Sequence, residues 1–208
     1  GMIVRIVPLP AIARQPFNTV VSLYEKQSKG VMTMADAQMN VFETERLILR
    51  QLTMDDVDAL FALYRDPEVR KYFPEGTLTY EETKEELEWI INVYYGQYGF
   101  GLWATIHKAT GALIGRCGLL PWTIDGQQEV EEAYWLAKAY WGQGLATEAA
   151  QGIVRYAFEQ LQLSRLICLI DAENQASQGV AGKIGMSFEK AIEDDKGPAL
   201  LYSMSRPG

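Results

Sequence analysis

The ten residues from 141 to 150 constrain this chain more than any other segment, and they read Trp-Gly-Gln-Gly-Leu-Ala-Thr-Glu-Ala-Ala. A strand-like run, residues 130 to 136, precedes them, and a helix-like run, residues 145 to 161, contains their second half. Because glycine has no Cβ, Gly142 and Gly144 allow successive backbone N–H groups to turn toward one point. Together with the free N–H groups and the positive dipole end of the helix, they predict a site for phosphate or pyrophosphate.

The motif alone leaves other interpretations of this loop open. A Gly-x-Gly between a strand and a helix is also common as a simple tight turn. A nucleotide-binding P-loop would end in Gly-Lys-Ser/Thr, whereas Leu-Ala-Thr follows Gly144 here. A dinucleotide-binding loop would need a third glycine, which Ala146-Thr147 does not supply, and Asp171 near the end of a later strand does not replace it.

The loop resembles the coenzyme A signature of the GNAT acetyltransferases, Gln/Arg-x-x-Gly-x-Gly/Ala. Gly144 and Ala146 occupy its last two fixed positions, while Trp141 stands where Gln or Arg is usual. That departure removes a polar side chain but leaves the backbone amides. The wider pattern is similar to the branch of ribosomal-protein N-terminal acetyltransferases, the RimJ/RimL type. Three more stretches resemble that branch in the same order along the chain: residues 43–50, residues 131–136 and residues 174–186.

The resemblance implies a fold of the mixed α/β (α+β) class. We expect one mostly antiparallel sheet of six to seven strands, flanked by about four helices and splayed between the fourth and fifth strands of the family fold, where the cofactor enters. The alternation and helical periodicity of the sequence give a compatible order of strands and helices. Residues 41–208 would form this domain. Residues 1–40 match nothing in the pattern and are expected to be an appendage of unknown role.

Acetyl-CoA is the co-substrate that the resemblance implies. A main-chain N–H near Leu136 or Ala137, left unpaired where the strands splay, would polarise the thioester carbonyl. Asn174 would hydrogen-bond the pantetheine arm, with helix capping as the alternative, and Lys183 would pair with a phosphate or simply lie on the surface. The full set expected to bind the cofactor is Leu136, Ala137, Trp141, Gly142, Gln143, Gly144, Leu145, Ala146, Thr147, Asn174 and Lys183.

Transfer of an acetyl group to an amine requires a neutral amine, and Glu131 is the candidate base, acting directly or through a water. It matches the glutamate of the Glu-x-Gly-Tyr pattern of the branch, although Ala133 replaces the glycine. Strand alternation places Glu131 and Glu132 on opposite faces, so one of them should face the cleft. The alternative is that both are solvated carboxylates at a strand end.

The leaving thiolate needs a proton, and Ser177 is the candidate donor because it matches the serine of the Asn-x-x-Ser pattern. Many GNAT enzymes use a tyrosine at the position that Ala181 occupies here, so that acid is absent. A serine in the first turn of a helix is equally typical of a cap, and this alternative stays open.

The composition suits an ordinary globular protein, with 48% hydrophobic and 22% charged residues among 208. The net charge is −8; residues 1–40 carry four basic and two acidic residues, so the remainder carries −10. An acidic body argues against nucleic acid as a partner and favours a cationic one such as an amine. No run approaches the roughly 18 apolar residues of a membrane span. One histidine and two distant cysteines give no metal pattern, and we expect a cytoplasmic protein.

Three functions therefore follow from the sequence, in order of preference. The first is an acetyl-CoA-dependent N-acetyltransferase that acts on a protein N-terminus, a small-molecule amine or a lysine. The second is a non-catalytic acyl-CoA-binding module in which Glu131 and Ser177 are incidental. The third is a phosphate-binding α/β protein of another family. The sequence leaves a homodimer open and does not name the acceptor.

Overall fold

The computed structural model describes residues 40–73, 75–194 and 197–208. The predicted appendage lies outside these residues except for Asn40. In chain order the elements are β1 (Asn40–Glu43), β2 (Leu47–Arg50), α1 (Val57–Tyr64), α2 (Tyr80–Trp89), β3 (Leu102–His107), β4 (Ala112–Ile124), β5 (Gln127–Leu136), α3 (Leu145–Arg155), β6 (Arg165–Ile170), α4 (Gln175–Lys183), β7 (Ser187–Asp194) and β8 (Gly197–Ser205).

These strands form a single sheet in the order β1-β2-β3-β4-β5-β6-β8-β7. Neighbouring strands are antiparallel except β5 and β6, which run parallel and share one bridging pair, Glu131 with Ile167. By contrast, β4 and β5 remain paired over ten positions as far as Leu136. The sheet therefore parts beyond Glu131, between β5 and β6, which confirms the expected mixed, mostly antiparallel and splayed architecture.

The described residues form eight strands, where the sequence predicted six to seven. The additional strand is β1, which pairs with β2 in a hairpin, whereas residues 43–50 were expected to form one strand. The chain turns at Thr44–Arg46 because a distant carboxylate holds it there. Glu148 of α3 accepts from the Thr44 hydroxyl at 2.6 Å, the Arg46 N–H at 2.7 Å and the Arg46 Nε at 2.7 Å.

Helices cover both faces of the sheet. On one face, Tyr64 of α1 packs against Trp135 of β5 with ring centroids 5.3 Å apart. On the other face, α3 packs on β4 and β5 through a buried stripe that includes Leu145, Ala149 and Ile153. None of the helices within the described ranges is long and apolar enough to cross a membrane.

The glutamates of α2 do not all face solvent. Glu86 turns inward and pairs with Arg116 of β4, with Nη1 and Oε1 2.8 Å apart. The Tyr64 hydroxyl also donates to Glu86, at 2.9 Å. The Arg116 side chain is fully buried and requires a counter-charge, which explains why this carboxylate is drawn in while Glu85 and Glu88 stay exposed.

Candidate active site

The loop between β5 and α3 has the backbone that its glycines predict. Gly142 and Gly144 both adopt left-handed conformations, with φ of 73° and 79°. Gly144 is the N-cap of α3, and no side chain caps the helix there. The N–H groups of Leu145, Ala146 and Thr147 in the first turn are thus available to an anion.

Two side chains tie this loop to the rest of the fold. The Trp141 indole donates to the Leu136 carbonyl at 2.7 Å, so the residue at the unusual motif position closes the loop back onto the end of β5. Arg46 donates from Nη1 to the Gln143 carbonyl at 3.0 Å while its Nε is held by Glu148. Sequence reasoning missed Arg46 and Glu148 as partners, because they are 102 residues apart.

A cavity of about 480 Å³ opens beside the first turn of α3. Its walls carry three cationic side chains, Arg46, Arg155 and Lys183, against Glu45 and Glu148. Glu148 is already engaged by Arg46 and Thr44. The structure therefore brings Lys183 of α4 to the same cavity as Gly144 and Thr147, as the phosphate hypothesis requires. The lining residues are Thr44, Glu45, Arg46, Gly144, Thr147, Glu148, Gln151, Arg155 and Lys183.

One of the two N–H donors expected at the end of β5 is already paired. The N–H of Ala137 donates to the Ile114 carbonyl at 2.7 Å, so Ala137 lacks the unpaired donor expected of it. Leu136 pairs with Gly115 of β4, and its carbonyl accepts from Trp141. Successive N–H groups of a strand point to opposite sides, so the Leu136 N–H, the other donor of that expectation, points away from β4 toward the opening between β5 and β6.

Glu131 lies at the apex of the splayed strands and is 1% exposed. Its Oε2 accepts from the Trp122 indole of β4 at 2.6 Å, and its Oε1 accepts from the Leu169 N–H of β6 at 3.3 Å. The carboxylate thus replaces part of the backbone pairing that β5 and β6 lose. The alternative of a solvated carboxylate at a strand end does not hold for this residue.

Glu132 faces the opposite side of the sheet and is 0% exposed. The Cys168 thiol donates to the Glu132 carbonyl and to Oε2, both at 3.2 Å, and Oε1 has no hydrogen-bond partner. Burial raises the pKa of Glu132 to about 8, an effect that the Cys168 thiol partly offsets. Burial likewise raises the pKa of Cys168 well above its usual range. This carboxyl is therefore mainly neutral at pH 7.

Ser177 and Asn174 lie on the same side as Glu132, at the start of α4. Asn174 caps the helix, since its Oδ1 accepts from the Ser177 N–H at 3.1 Å. Both residues are nearly fully buried. The Tyr134 hydroxyl is buried next to Ser177 without a hydrogen bond of normal geometry, and burial raises its pKa well above the usual value. Sequence reasoning placed no hydroxyl beside Ser177; strand alternation from Glu132 could have indicated it.

The predicted site residues fall into two groups along β5. Gly144, Thr147 and Lys183 line the cationic cavity. Glu131 lies at the apex of the splay, and Ser177 lies beside Tyr134 on the opposite face. At about 3.3 Å per residue, Leu136 lies roughly 16 Å beyond Glu131. An elongated ligand with an anionic end at the loop and a reactive end at the apex matches this arrangement. The part of the chain that the structure describes holds no cluster of three or more metal-ligating side chains.

Comparison with known proteins supports this interpretation. Residues 46–187 match the family model described as an acetyltransferase (GNAT) domain. YkkB of Bacillus subtilis is 37% identical over 76% of this chain and 92% of its own length. The N-acetyltransferase p20 of Bacillus licheniformis is 31% identical over 75% of this chain and 87% of its own.

The solved structures extend the comparison to the fold. RimL, a ribosomal L7/L12 α-N-protein acetyltransferase solved in complex with coenzyme A, superposes with a TM-score of 0.66. Its sequence is 18% identical, and the match covers 80% of this chain and 97% of RimL. At that identity the likeness shows a common fold. From its splayed sheet, its glycine loop and its sequence relatives, the chain belongs to the GNAT acetyltransferases and is an acetyltransferase enzyme.

Proposed function

We propose that this enzyme transfers the acetyl group of acetyl-CoA to a primary amine, and that Glu131 is the base. The observation that carries the proposal is the position of Glu131 at the single bridge where β5 and β6 part. Its two oxygens are held by donors from the strands on either side. A carboxylate at the closed end of a cofactor opening is placed to accept a proton from an amine, directly or through one water.

The other end of the site supports acetyl-CoA as the acetyl donor. An uncapped helix start and three cations around one cavity suit the phosphates of coenzyme A. RimL, which shares the fold, binds coenzyme A. We propose that residues 142–147 hold the pyrophosphate through backbone N–H groups, with Arg46, Arg155 and Lys183 supplying the charge.

The chemistry divides between the two faces of β5. Acetyl-CoA supplies an activated acyl group, and the neutral amine nitrogen forms a bond to its carbonyl carbon. Glu131 takes the proton that the nitrogen loses. As the C–S bond breaks, its electron pair stays on sulfur, and we assign the proton that neutralises it to the Ser177 hydroxyl. A free α-amino group has a pKa near 8, so a useful fraction is neutral at pH 7 without a strong base.

The acceptor in this proposal is a protein N-terminus or a small-molecule amine. The net charge of −8 favours cationic acceptors. The named activity of RimL and the motifs of the ribosomal branch favour a protein N-terminus. The two cysteines are free and buried, which agrees with a reducing, cytoplasmic location. A homodimer is compatible with the same proposal.

Release of free coenzyme A thiol from acetyl-CoA, in the presence of N-terminal peptides and small amines, tests the function. Glu131→Gln keeps the volume of the side chain and removes the base. We expect kcat to fall by roughly 10²- to 10⁴-fold while the thermal shift produced by acetyl-CoA is retained.

Glu159→Gln removes an exposed carboxylate beyond α3 and is the matched control, which should turn over as the parent does. Full turnover in Glu131→Gln would remove Glu131 as the base. Binding of acetyl-CoA with no thiol release for any amine would instead favour the non-catalytic module.

A further inference from the structure

Trp122 contacts the reacting end of the site although no motif includes it. It belongs to β4, where it pairs with Glu129 of β5, so its side chain lies on the same face as Glu131. The indole Nε1 lies 2.6 Å from Glu131 Oε2. An indole N–H can only donate, and its acceptor here is a carboxylate. Such charge-assisted hydrogen bonds are shorter and stronger than neutral ones.

A second donor fixes the other oxygen of the same carboxylate. The Leu169 N–H of β6 points at Oε1 from the opposite side of β5. With one donor on each flanking strand, the carboxylate has a defined orientation. Removing the Trp122 donor would remove the shorter of these two hydrogen bonds, at 2.6 Å against 3.3 Å.

The position of Trp122 is itself determined by the arm that β4 and β5 form beyond the main sheet. The arm turns at Asp125-Gly126, and Lys190 of β7 holds the Asp125 carboxylate at 2.6 Å. Arg165 of β6 holds Glu129 at 3.1 Å. Trp122 also packs on a small buried apolar cluster formed by Ile167, Leu169 and Leu201. Trp122 therefore packs against β6 and β8 while its N–H reaches Glu131.

We propose that Trp122 is a positioning residue for acetyl transfer, whose indole N–H holds the Glu131 carboxylate ionised and oriented toward the amine. The inference rests on the proposed role of Glu131 as the base. A hydrogen bond to the charged form of a carboxyl favours that form. With the Trp122 N–H in place, Glu131 would therefore remain deprotonated at a lower pH than it would without this donor.

The groups around Glu131 whose pKa is shifted keep a single charge state near pH 7, with one exception. Burial raises the pKa of Tyr94, which follows α2, and that of Cys168 in β6, so both stay neutral near pH 7. Arg116, on the same face of β4, stays charged beside Glu86. The exception is Glu132 on the opposite face, which titrates near pH 8. Glu86 and Glu129 are further carboxylates on this face, paired with Arg116 and Arg165, so the acid limb is assigned to Glu131 by its loss in Glu131→Gln.

Trp122→Phe tests the proposal because it removes the N–H and keeps an aromatic ring on the apolar cluster. We expect the acid limb of the kcat profile to move to higher pH by about one unit and kcat at pH 7 to fall by about tenfold. The KM for acetyl-CoA should stay within twofold. An acid limb at the parental pH would overturn the proposal, whatever the change in kcat.

Trp135→Phe is the matched control, since it also removes a buried indole but one whose Nε1 has no partner. Its acid limb should coincide with that of the parent. If Trp122→Phe unfolds, site-specific replacement of Trp122 by benzothienylalanine, in which sulfur replaces the N–H, keeps the ring shape and should shift the limb equally. If the protein that carries this analogue has an unshifted acid limb, the proposal is contradicted.

The two proposals fail in different ways. If Glu131→Gln retains full turnover, the base assignment fails and the proposal for Trp122 fails with it. If Glu131→Gln is inactive while Trp122→Phe leaves the acid limb unmoved, only the role of Trp122 is wrong. A Trp122→Phe, Glu131→Gln double variant should be no slower than Glu131→Gln alone, because the indole has no carboxylate left to hold.

Discussion

Glu131 and Glu132 are neighbours in the chain, yet they occupy different chemical environments. Glu131 receives two N–H donors, one from Trp122 and one from Leu169. Glu132 receives only the weak donor of the Cys168 thiol and has one oxygen without a partner. Strand alternation separates the two side chains, and the neighbouring strands then decide which one is suited to ionisation. Two carboxyls in contrasting environments are a common way to divide acid and base roles.

The raised pKa of Glu132 predicts a pH-dependent stability. The folded state holds this proton up to about pH 8, whereas an unfolded glutamate releases it near pH 4.5. The contribution of this group is therefore fully present below pH 4.5 and is lost as the pH rises to about 8. Over this window the free energy of unfolding should fall by on the order of 1 kcal/mol per pH unit from this group alone.

Glu132→Gln should remove that slope, because the amide does not titrate. Urea unfolding from pH 5 to pH 9 measures the slope. The free energy of unfolding of the variant should rise relative to that of the parent as the pH rises. Parallel curves for the two proteins would show that Glu132 ionises in the folded state much as it does in the unfolded chain.

At the scale of elements, the start of α3 depends on glycine conformation and on a tie to the first hairpin. Gly144 has φ of 79°, and a Cβ there would meet only the Arg46 Nη2 at 3.6 Å, an ordinary contact. Space is thus available, and the requirement for glycine is conformational. Glu148, one turn into α3, fixes the helix start against Thr44 and Arg46. The loop geometry therefore depends on the local conformation of Gly144 and on the contacts of Glu148 with distant residues.

Gly144→Ala should cost about 1–2 kcal/mol of stability, since a left-handed residue with a Cβ is strained. We also expect the KM for acetyl-CoA to rise severalfold, because relief of that strain turns the first N–H groups of α3 away. Gly179→Ala is the control: a Cβ at Gly179 of α4 meets nothing within 4 Å, and alanine favours helix. Urea unfolding and steady-state kinetics give both quantities; equal effects of the two variants would argue against the strained loop.

For the whole molecule, the charge distribution is the feature that suits its two ligands. The chain carries a net charge of −8, yet three cations gather around the cavity at α3. An acidic exterior attracts a cationic amine, while the local cationic cavity accepts an anionic cofactor. In the proposed function the amine would approach Glu131 and the anionic cofactor would bind the cationic cavity at α3.

Arg155→Gln combined with Lys183→Gln should raise the KM for acetyl-CoA by about tenfold at low salt, and less at 0.5 M salt, where exposed charges are screened. The thermal shift from coenzyme A should fall toward that from dephospho-coenzyme A. Arg206→Gln alters the charge at the C-terminal end, where the side chain bonds Gln162, and serves as the control. An unchanged KM at low salt would remove the cavity as the phosphate site.

Much of the fold and part of the candidate site were predictable from local sequence. The order of elements, the glycine loop and the opposite faces of Glu131 and Glu132 depend on backbone preference and on period, which neighbouring residues determine. The boundary of the domain at residue 41 stays a prediction, as does the role of the residues before it.

The tertiary structure decided the contacts between distant segments. Glu148 bonds the turn at Thr44–Arg46, and Arg116 pairs with Glu86 inside the fold. The Ile114 carbonyl accepts from the Ala137 N–H, and the Trp122 indole donates to Glu131. Burial and partner choice depend on how strands and helices pack, and no local pattern contains that information. The sequence by itself therefore determined which backbone forms the cofactor loop, while packing determined which side chains are held, buried or charged beside it.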